Sequence, residues 1–169
     1  MNVPSIVLLS EKKQLDLLAK TNEYTAEYGL SLSEEDMHLL VEQRRNTLAA
    51  TQRVEFGPGV LDKLILAFRD SSYIWQSNYV ETISGLQEIF YHFKNECLDR
   101  LSDDALIAVM KDAFENECHG SLSYLEETVL YRLSKKVRFA KCGMETVDET
   151  EETDIRREPE KNDEDDGDD

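Results

Sequence analysis

Long apolar runs and paired cysteines are both scarce in this sequence, and each shortage excludes a class of protein. The amino-terminal apolar run, residues 6–9, spans only four residues and has no basic flank. It therefore predicts neither a secretory signal nor a membrane-spanning segment. Three cysteines, an odd number, do not form a disulfide framework and suit a reducing compartment. We therefore expect a cytoplasmic protein that has no membrane partner.

Familiar catalytic signatures are also missing. Gly57-Pro58-Gly59 is too short for a phosphate-binding loop and lacks the Lys-Ser/Thr pair that ends one, and neither G-x-S-x-G nor H-E-x-x-H occurs. The acidic pairs Glu34-Glu35 and Asp103-Asp104 are better explained as first-turn helix residues, where carboxylates complement the helix dipole. The sequence therefore favours a protein without catalytic residues, although scattered carboxylates assembled in space leave an enzyme open.

Positive charge is in short supply, and the deficit is uneven. The formal net charge is -17, so we expect no duplex nucleic acid as a partner, because phosphate contacts need a dominant positive surface. Residues 1–143 hold 22 acidic and 16 basic side chains, whereas residues 144–169 hold 14 and 3. The second segment has too few large apolar residues to offset the entropy cost of ordering. We predict a helical domain, residues 1–143, followed by a disordered acidic tail, residues 144–169.

Apolar residues recur at helical spacing through the body of the chain, and strand-like alternation is absent. The pattern predicts an all-α fold, a compact and mostly antiparallel bundle of about six helices. Its clearest apolar stripes are Leu61, Leu64, Ile65, Phe68; Tyr79, Ile83, Leu86, Phe90, Phe93, Cys97; Ile107, Met110, Phe114, Cys118; and Leu125, Val129, Leu133, Val137. A weaker stripe runs through Leu15, Leu18, Tyr24 and Tyr28. We expect Phe90, Phe93, Ile107, Phe114 and Val129 to be buried together.

Boundary signals divide this pattern into helices. The dipeptide Leu-Ser occurs at residues 9–10, 32–33, 101–102 and 122–123, where a serine oxygen can accept hydrogen bonds from first-turn amides. Asn78 with Glu81 has a similar spacing, and Gly29 and Gly120 fall where helices should stop. The predicted helices lie near residues 11–28, 34–53, 59–69, 79–97, 103–118 and 124–140.

A repeated ten-residue stretch raises the question of a metal or redox site. FKNECLDRLS, residues 93–102, recurs as FENECHGSLS, residues 114–123, with six positions identical. Most of the match is explained by two similar units of helix, short loop and capped helix, and an internal duplication remains open.

Zinc is the alternative that the two Asn-Glu-Cys segments, residues 95–97 and 116–118, leave open. Its ligands would be His92, Cys97, Cys118 and His119, which have suitable side chains but match no familiar ligand spacing. Both cysteines fall on apolar stripes near helix carboxyl ends and beside carboxylates, which disfavour a thiolate. We therefore expect buried packing cysteines that bind no zinc, and we assign no metal, cofactor or catalytic residue.

Three other features complete the set of candidates. Cys142, at the junction with the tail, is the cysteine most expected to be exposed. Trp75 is either a core residue under a loop or an exposed anchor for a partner, and we favour the core position. We also expect the acidic tail to contact the basic end of the last helix, through Arg132, Lys135, Lys136 and Arg138.

Four segments resemble a family of small uncharacterised bacterial proteins, a domain of unknown function. They are VEFGPGVLDKLI (54–65), LQEIFYHFKNE (86–96), LSDDALI (101–107) and GSLSYLE (120–126). The resemblance extends over residues 30–139 and implies a bacterial cytoplasmic protein. It brings no activity, cofactor or site residue.

Elimination then leaves two hypotheses for function. The first is a non-enzymatic interaction module, whose protein partner meets a helix face or the acidic tail. The second is a metal- or redox-responsive protein that uses the two Asn-Glu-Cys segments. The oligomeric state is left open.

Overall fold

The computed structural model describes residues 3–140, with side chains from Ser10 onward. Over this range every regular element is helical, so the predicted all-α fold is confirmed. No helix within it is both long and apolar enough to cross a membrane. Cys142 and the predicted acidic tail lie outside the described residues.

Six helices make up the described part of the chain. The first five are α1 (Val3–Thr25), α2 (Glu34–Ala50), α3 (Leu61–Phe68), α4 (Tyr79–Glu96) and α5 (Asp103–Asn116). The sixth, α6, is continuous over three segments: an α-helical turn (Leu122–Tyr124), a π-helical segment (Leu125–Leu130) and a final α-helix (Tyr131–Ala140). Short 3-10 turns, Ala26–Tyr28 and Gln76–Asn78, follow α1 and precede α4.

Two of the predicted serine caps are confirmed. Ser33 and Asp36 form a capping box at the start of α2, and Ser102 Oγ accepts a hydrogen bond from Ala105 N at 3.1 Å at the start of α5. These oxygens satisfy amides that have no partner within their own helix. Gly29 and Gly120 both have positive φ, as expected where helices stop.

The other predicted caps are wrong. Ser10 lies inside α1, because that helix begins at Val3. At α6 the cap is Ser121 rather than Ser123, and its Oγ accepts from Tyr124 N at 3.2 Å. Asn78 does not cap α4, because its side-chain oxygen accepts from Trp75 N at 2.7 Å instead.

The core is built around α4, which contacts α2, α3, α5 and the first turn of α6. Of the five side chains expected to be buried together, four are buried in one hydrophobic cluster: Phe90, Phe93, Ile107 and Phe114. Val129 is only half-buried and packs at the edge of the cluster. The π-helical segment is the reason, since its wider turn brings Leu125 and Leu130, five residues apart, onto the buried face.

Hydrogen bonds between loops define two ends of the bundle. At the Trp75 end, residues 26–33, 69–78 and 117–121 meet: Ser31 N donates to Gln76 Oε1 at 2.8 Å, and Tyr73 Oη lies 3.1 Å from His119 Nδ1. At the Arg53 end, residues 51–60, 97–102 and the last turn of α6 meet, as shown below. Consecutive helices therefore run in alternating directions between the two ends.

Candidate functional site

The loop between α2 and α3, residues 51–60, is shaped by residues with positive φ. Gln52 has φ of 55°, Gly57 of 87° and Gly59 of 73°. Gly59 is needed for space as well, because a Cβ there would overlap Glu55 Oε1 and lie 2.8 Å from Arg44 Nε. The backbone therefore folds closely over the Arg44–Glu55 pair.

Glu55 anchors this loop to the helices beneath it. Its Oε1 accepts hydrogen bonds from Arg44 Nε at 2.9 Å, from Arg44 Nη2 at 2.5 Å and from Tyr91 Oη at 2.6 Å. The Arg44 and Glu55 side chains are only 10% and 19% exposed, so the pair interacts in a largely dehydrated setting. Burial, and then the Glu55 carboxylate, raise the pKa of Tyr91 well above its usual range. The phenol therefore stays protonated and keeps donating to Glu55.

Val54 and Phe56 flank this anchor and are highly exposed, at 78% and 92%. Glu55 between them points inward, so the two apolar side chains lie on the outward side of the loop. Three hydrogen bonds to one carboxylate oxygen thus hold two apolar side chains in water. This arrangement, called the Val54–Phe56 loop below, is unusual for a surface loop, where polar residues are the norm.

Arg53 joins the loop to the carboxyl end of α4. Its Nη2 donates to Asp99 Oδ1 at 2.7 Å, and its Nη1 donates to Asp99 Oδ2 at 3.1 Å and to Asn95 Oδ1 at 2.7 Å. Asn95 Nδ2 in turn donates to Thr51 O at 2.8 Å. The hydrogen bond from Arg53 lowers the pKa of Asp99.

Asp99 reaches Arg53 through a turn in an uncommon backbone conformation. Leu98 and Asp99 are consecutive residues with φ of 55° and 54°, and left-handed positions cost side-chain-bearing residues about 1–2 kcal/mol each. Such strain is characteristic of functional segments that the surrounding structure holds in place. The Arg53 end therefore contains three such residues, since Gln52 lies next to Arg53.

A cleft of about 770 Å³ opens beside this loop, between α1 and α2. Four cationic side chains and two carboxylates line it: Lys13, Arg44, Arg45, Arg53, Glu11 and Glu55. Arg45 Nη1 pairs with Glu11 Oε1 at 2.6 Å across the opening, and the Arg45 side chain remains 57% exposed. The cleft therefore has an excess of two positive charges in a chain whose net charge is -17.

Gln14, on α1, is the buried polar residue of this cleft. Its side chain is 4% exposed, and neither its Nε2 nor its Oε1 has a hydrogen-bond partner among the described residues. An unsatisfied buried polar group costs about 1–3 kcal/mol, and most buried polar groups in proteins do find partners. Gln14 lines the cleft, so a ligand that reached these two atoms from there would supply the partners that they lack.

The candidate zinc ligands are not brought together. Cys97, 1% exposed, follows α4 at the Arg53 end, whereas Cys118, 6% exposed, follows α5 at the Trp75 end. The length of α5 separates them, about 20 Å for 14 residues. His92 is exposed and packs on the Phe93 ring, and the His119 ring lies against Tyr73. Among the described residues, no group of three or more His, Cys, Asp or Glu side chains is arranged to hold a metal ion.

Both cysteines are buried, as their positions on apolar stripes predict. Burial raises the pKa of Cys97 and of Cys118, and the neighbouring Glu117 carboxylate adds to the effect at Cys118. Such thiols are poor nucleophiles near neutral pH.

Trp75 is not a core residue, so that prediction is wrong. Its side chain is 60% exposed, and the neighbouring Ile74, 6% exposed, takes the inward position instead. Neighbouring side chains in an extended segment point in opposite directions, and Trp75 has extended backbone angles. One of the two must therefore face water.

The basic residues of α6 are partly engaged with neighbouring groups. Arg132 Nη2 pairs with Glu117 Oε1 at 2.6 Å, and Arg138 Nη2 pairs with Glu96 Oε2 at 2.5 Å. Lys135 Nζ lies 4.4 Å from the centre of the Tyr131 ring. The two ion pairs join α6 to the rest of the bundle, whereas the Lys135–Tyr131 contact lies within α6.

Comparison with known protein families gives a match. A family of unknown function (DUF6323) matches residues 17–143. The chain belongs to this family. No curated protein and no solved structure matches it. The DUF6323 match contains Arg44, Arg53, Glu55 and Tyr91, whereas Gln14 lies just before it.

Proposed function

We propose that this protein is a non-enzymatic interaction module of the bacterial cytoplasm, and that its protein partner binds the Val54–Phe56 loop. The observation that carries the proposal is the anchoring of Glu55. One oxygen of this partly buried carboxylate accepts three hydrogen bonds, and the consequence is that the apolar side chains on both sides face solvent.

Energetics favour such a loop as a binding surface. An exposed phenylalanine loses its contact with water when a partner covers it, and aromatic residues are enriched in interface cores. Association also costs free energy to order flexible loops and side chains. A loop fixed by Arg44 and Tyr91 has met most of that cost during folding, so more of the apolar burial appears as affinity.

The arrangement of the cysteines does not favour the metal- or redox-responsive alternative. That role requires the two Asn-Glu-Cys segments to act in one site, whereas Cys97 and Cys118 lie at opposite ends of α5. Each thiol is buried, with a raised pKa. The exposed Val54 and Phe56 side chains at the Arg53 end instead support the interaction hypothesis.

Photo-crosslinking in the native cell tests the proposal. The photoreactive amino acid p-benzoylphenylalanine would replace Phe56, and in a matched control it would replace Tyr124, which is also exposed but lies at the Trp75 end. We expect discrete protein adducts from position 56 and not from position 124. The same adducts from both positions, or none from position 56, would refute the proposal.

A second variant asks whether the anchor matters. Tyr91→Phe removes one hydrogen bond to Glu55 while Phe56 stays unchanged. The yield of the adducts from position 56 should fall, because the loop becomes less ordered before binding.

A further inference from the structure

We propose that the cleft beside the Val54–Phe56 loop is a binding site for an acidic peptide segment. Its occupant in the free protein is the chain's own acidic segment, residues 144–169. This inference goes beyond the partner surface proposed above, and no partner is needed to test it. Three observations support it: an unpartnered amide, the charge of the cleft and the place where α6 ends.

The unpartnered amide is that of Gln14. A side-chain amide has two N–H donors and a carbonyl acceptor, and in Gln14 these are buried without partners among the described residues. A peptide offers both complements, since carboxylate and backbone oxygens accept and backbone N–H groups donate. A purely apolar ligand would leave the amide unsatisfied.

The charge of the cleft selects the kind of peptide. Lys13, Arg44, Arg45 and Arg53 outnumber the two carboxylates that line the cleft. Lys13 is exposed and forms no ion pair within the described side chains. It can therefore pair with a carboxylate of the peptide without breaking an existing ion pair. Within residues 144–169, by contrast, 14 acidic side chains face 3 basic ones.

The end of α6 lies at the same end of the bundle as the cleft. Arg138 Nε donates to Glu96 O at 2.6 Å, and Arg100 Nη1 donates to Val137 O at 3.0 Å. Asp99, next to Arg100, holds Arg53 on the wall of the cleft. An extended chain gains about 3.3 Å per residue, so a segment that begins four residues after Ala140 can reach across the Arg53 end.

The cations of α6 are the competing site for the acidic segment. The sequence alone directs that segment to Arg132, Lys135, Lys136 and Arg138, of which the two arginines pair with carboxylates of the folded body. In the cleft the three arginines are paired as well, so unpaired charge alone does not favour it over α6. The cleft differs from α6 in containing the Gln14 amide, whose hydrogen-bonding capacity is unused.

Tethering favours occupancy, and charge makes it reversible. A short linker gives an effective concentration in the millimolar range, so weak contacts suffice. Exposed ion pairs are screened by salt. The cleft should therefore be occupied at low ionic strength and emptied at high ionic strength.

Paramagnetic relaxation enhancement in the full-length protein tests the proposal. A nitroxide spin label would be attached at Asn162→Cys in a Cys142→Ser background. Cys97 and Cys118 resist labelling because both are buried. At low salt we expect about a twofold or greater loss of amide peak intensity around Gln14 and Arg45, because tethering keeps the segment near the cleft. The loss should disappear at about 1 M salt, where the Debye length is about 3 Å.

Adjacent lysines on α1 provide the matched control. Lys13→Glu reverses a charge that lines the cleft, and Lys12→Glu reverses the neighbouring exposed charge, which does not line it. The first variant should abolish the intensity loss around Gln14 and the second should preserve it. Equal effects of the two variants would show that only net charge matters and would overturn the proposal.

Intensity losses restricted to residues 128–140 would also overturn it, because they would place the acidic segment on α6. If no amide lost intensity at low salt, the proposal would also be overturned. None of these results affects the crosslinking test at Phe56, so the two proposals fail separately.

Discussion

The two ends of the bundle satisfy their polar groups in different ways. At the Trp75 end, Ser31 and Gln76 exchange two hydrogen bonds, of 2.8 and 2.9 Å, and Asn22 makes two to the backbone of Leu32. At the Arg53 end, Gln14 is buried with neither side-chain atom partnered among the described residues. Tyr79 Oη and Glu115 Oε1 at the Trp75 end also lack a hydrogen-bond partner among the described residues. Gln14 differs from them because its side-chain donor and its acceptor both lack partners.

Exposed aromatic residues sharpen this contrast, and the most exposed one at each end is Phe56 or Trp75. Trp75 faces water because Ile74 fills the core position beside it. Phe56 faces water because a buried three-bond anchor holds its neighbour Glu55 inward. The first exposure is a by-product of core packing, while the second depends on polar groups that have no other evident role. The difference favours the Arg53 end as the proposed binding end.

The largest effect is expected from breaking the anchor. Arg44→Met leaves the Glu55 carboxylate buried with Tyr91 alone, and removing one partner of a buried ion pair costs about 3–5 kcal/mol. Because Glu55 is 19% exposed, the cost should lie at the lower end of this range. We expect the free energy of unfolding, measured with urea, to fall by about 3 kcal/mol. Gln76→Met is the control at the Trp75 end, where exposed hydrogen bonds are worth about 1 kcal/mol. Equal losses would remove the distinction between the ends.

A second prediction compares two amide side chains for which opposite effects are expected. At about 1 M salt, where the proposed occupant leaves the cleft, Gln14→Leu removes a buried amide without partners among the described residues, so the free energy of unfolding should rise by about 1–2 kcal/mol. Asn22→Leu removes an amide that makes two hydrogen bonds, so the free energy of unfolding should fall by a similar amount. Thermal unfolding at that salt concentration measures both variants. If Gln14→Leu were destabilising there, the Gln14 amide would already have a partner within the folded body.

The smallest stability effect concerns acid pH. Arg53 lowers the pKa of Asp99, so the Asp99 carboxylate stabilises the fold above its unfolded pKa. That contribution is lost as pH falls from about 4 through the lower folded pKa. Since Asp99 is 57% exposed, we expect less than about 1 kcal/mol. Asp99→Asn should lower stability at neutral pH and converge with the wild type at about pH 2.

Lysine at the other end provides a comparison for this titration. Lys111 lowers the pKa of Asp70 in the same way at the Trp75 end. Asp70→Asn should therefore give a similar pH dependence. A pH dependence of Asp99→Asn that matched the wild type throughout would show that the Arg53–Asp99 pair does not persist in solution.

Sequence periodicity predicted the middle of the fold well. All the residues of the stripes assigned to α3, α4 and α5 are buried, because these helices place apolar side chains inward at ordinary α-helical spacing. In each of these three helices, burial of the apolar stripe is enough to determine which face points to the core. The Ser33–Asp36 capping box and the Ser102 cap then set the starts of α2 and α5.

The first and last helices were predicted less well, for two different reasons. The buried face of α1 runs through Gln14, Leu18, Thr21 and Thr25, steps of four, three and four, and it is mostly polar. The apolar stripe predicted for this helix included Tyr24 and Tyr28, which are exposed. In α6 the π-helical segment changes the spacing to five residues, and an α-helical pattern cannot show this.

The candidate site was outside the reach of periodicity, because it depends on contacts between distant segments. Glu55 is 11 residues from Arg44 and 36 from Tyr91, and no local pattern connects them. One signal was present: Glu55 lies between two apolar residues in a glycine-rich loop. The repeated Asn-Glu-Cys segments are the stronger pattern in the sequence, but they mark two similar helix ends. Both α4 and α5 are followed by two consecutive residues with positive φ.

Partner capture compares the two ends most directly. Phe56→Ser and Trp75→Ser each remove one exposed aromatic side chain and leave the core intact, so both variants should fold. Full-length wild type and both variants would be affinity-purified from the native cell, and the bound proteins quantified by mass spectrometry. The account predicts a partner that is retained by Trp75→Ser and lost from Phe56→Ser. A partner lost from Trp75→Ser and retained by Phe56→Ser would contradict the assignment of the Arg53 end as the binding end.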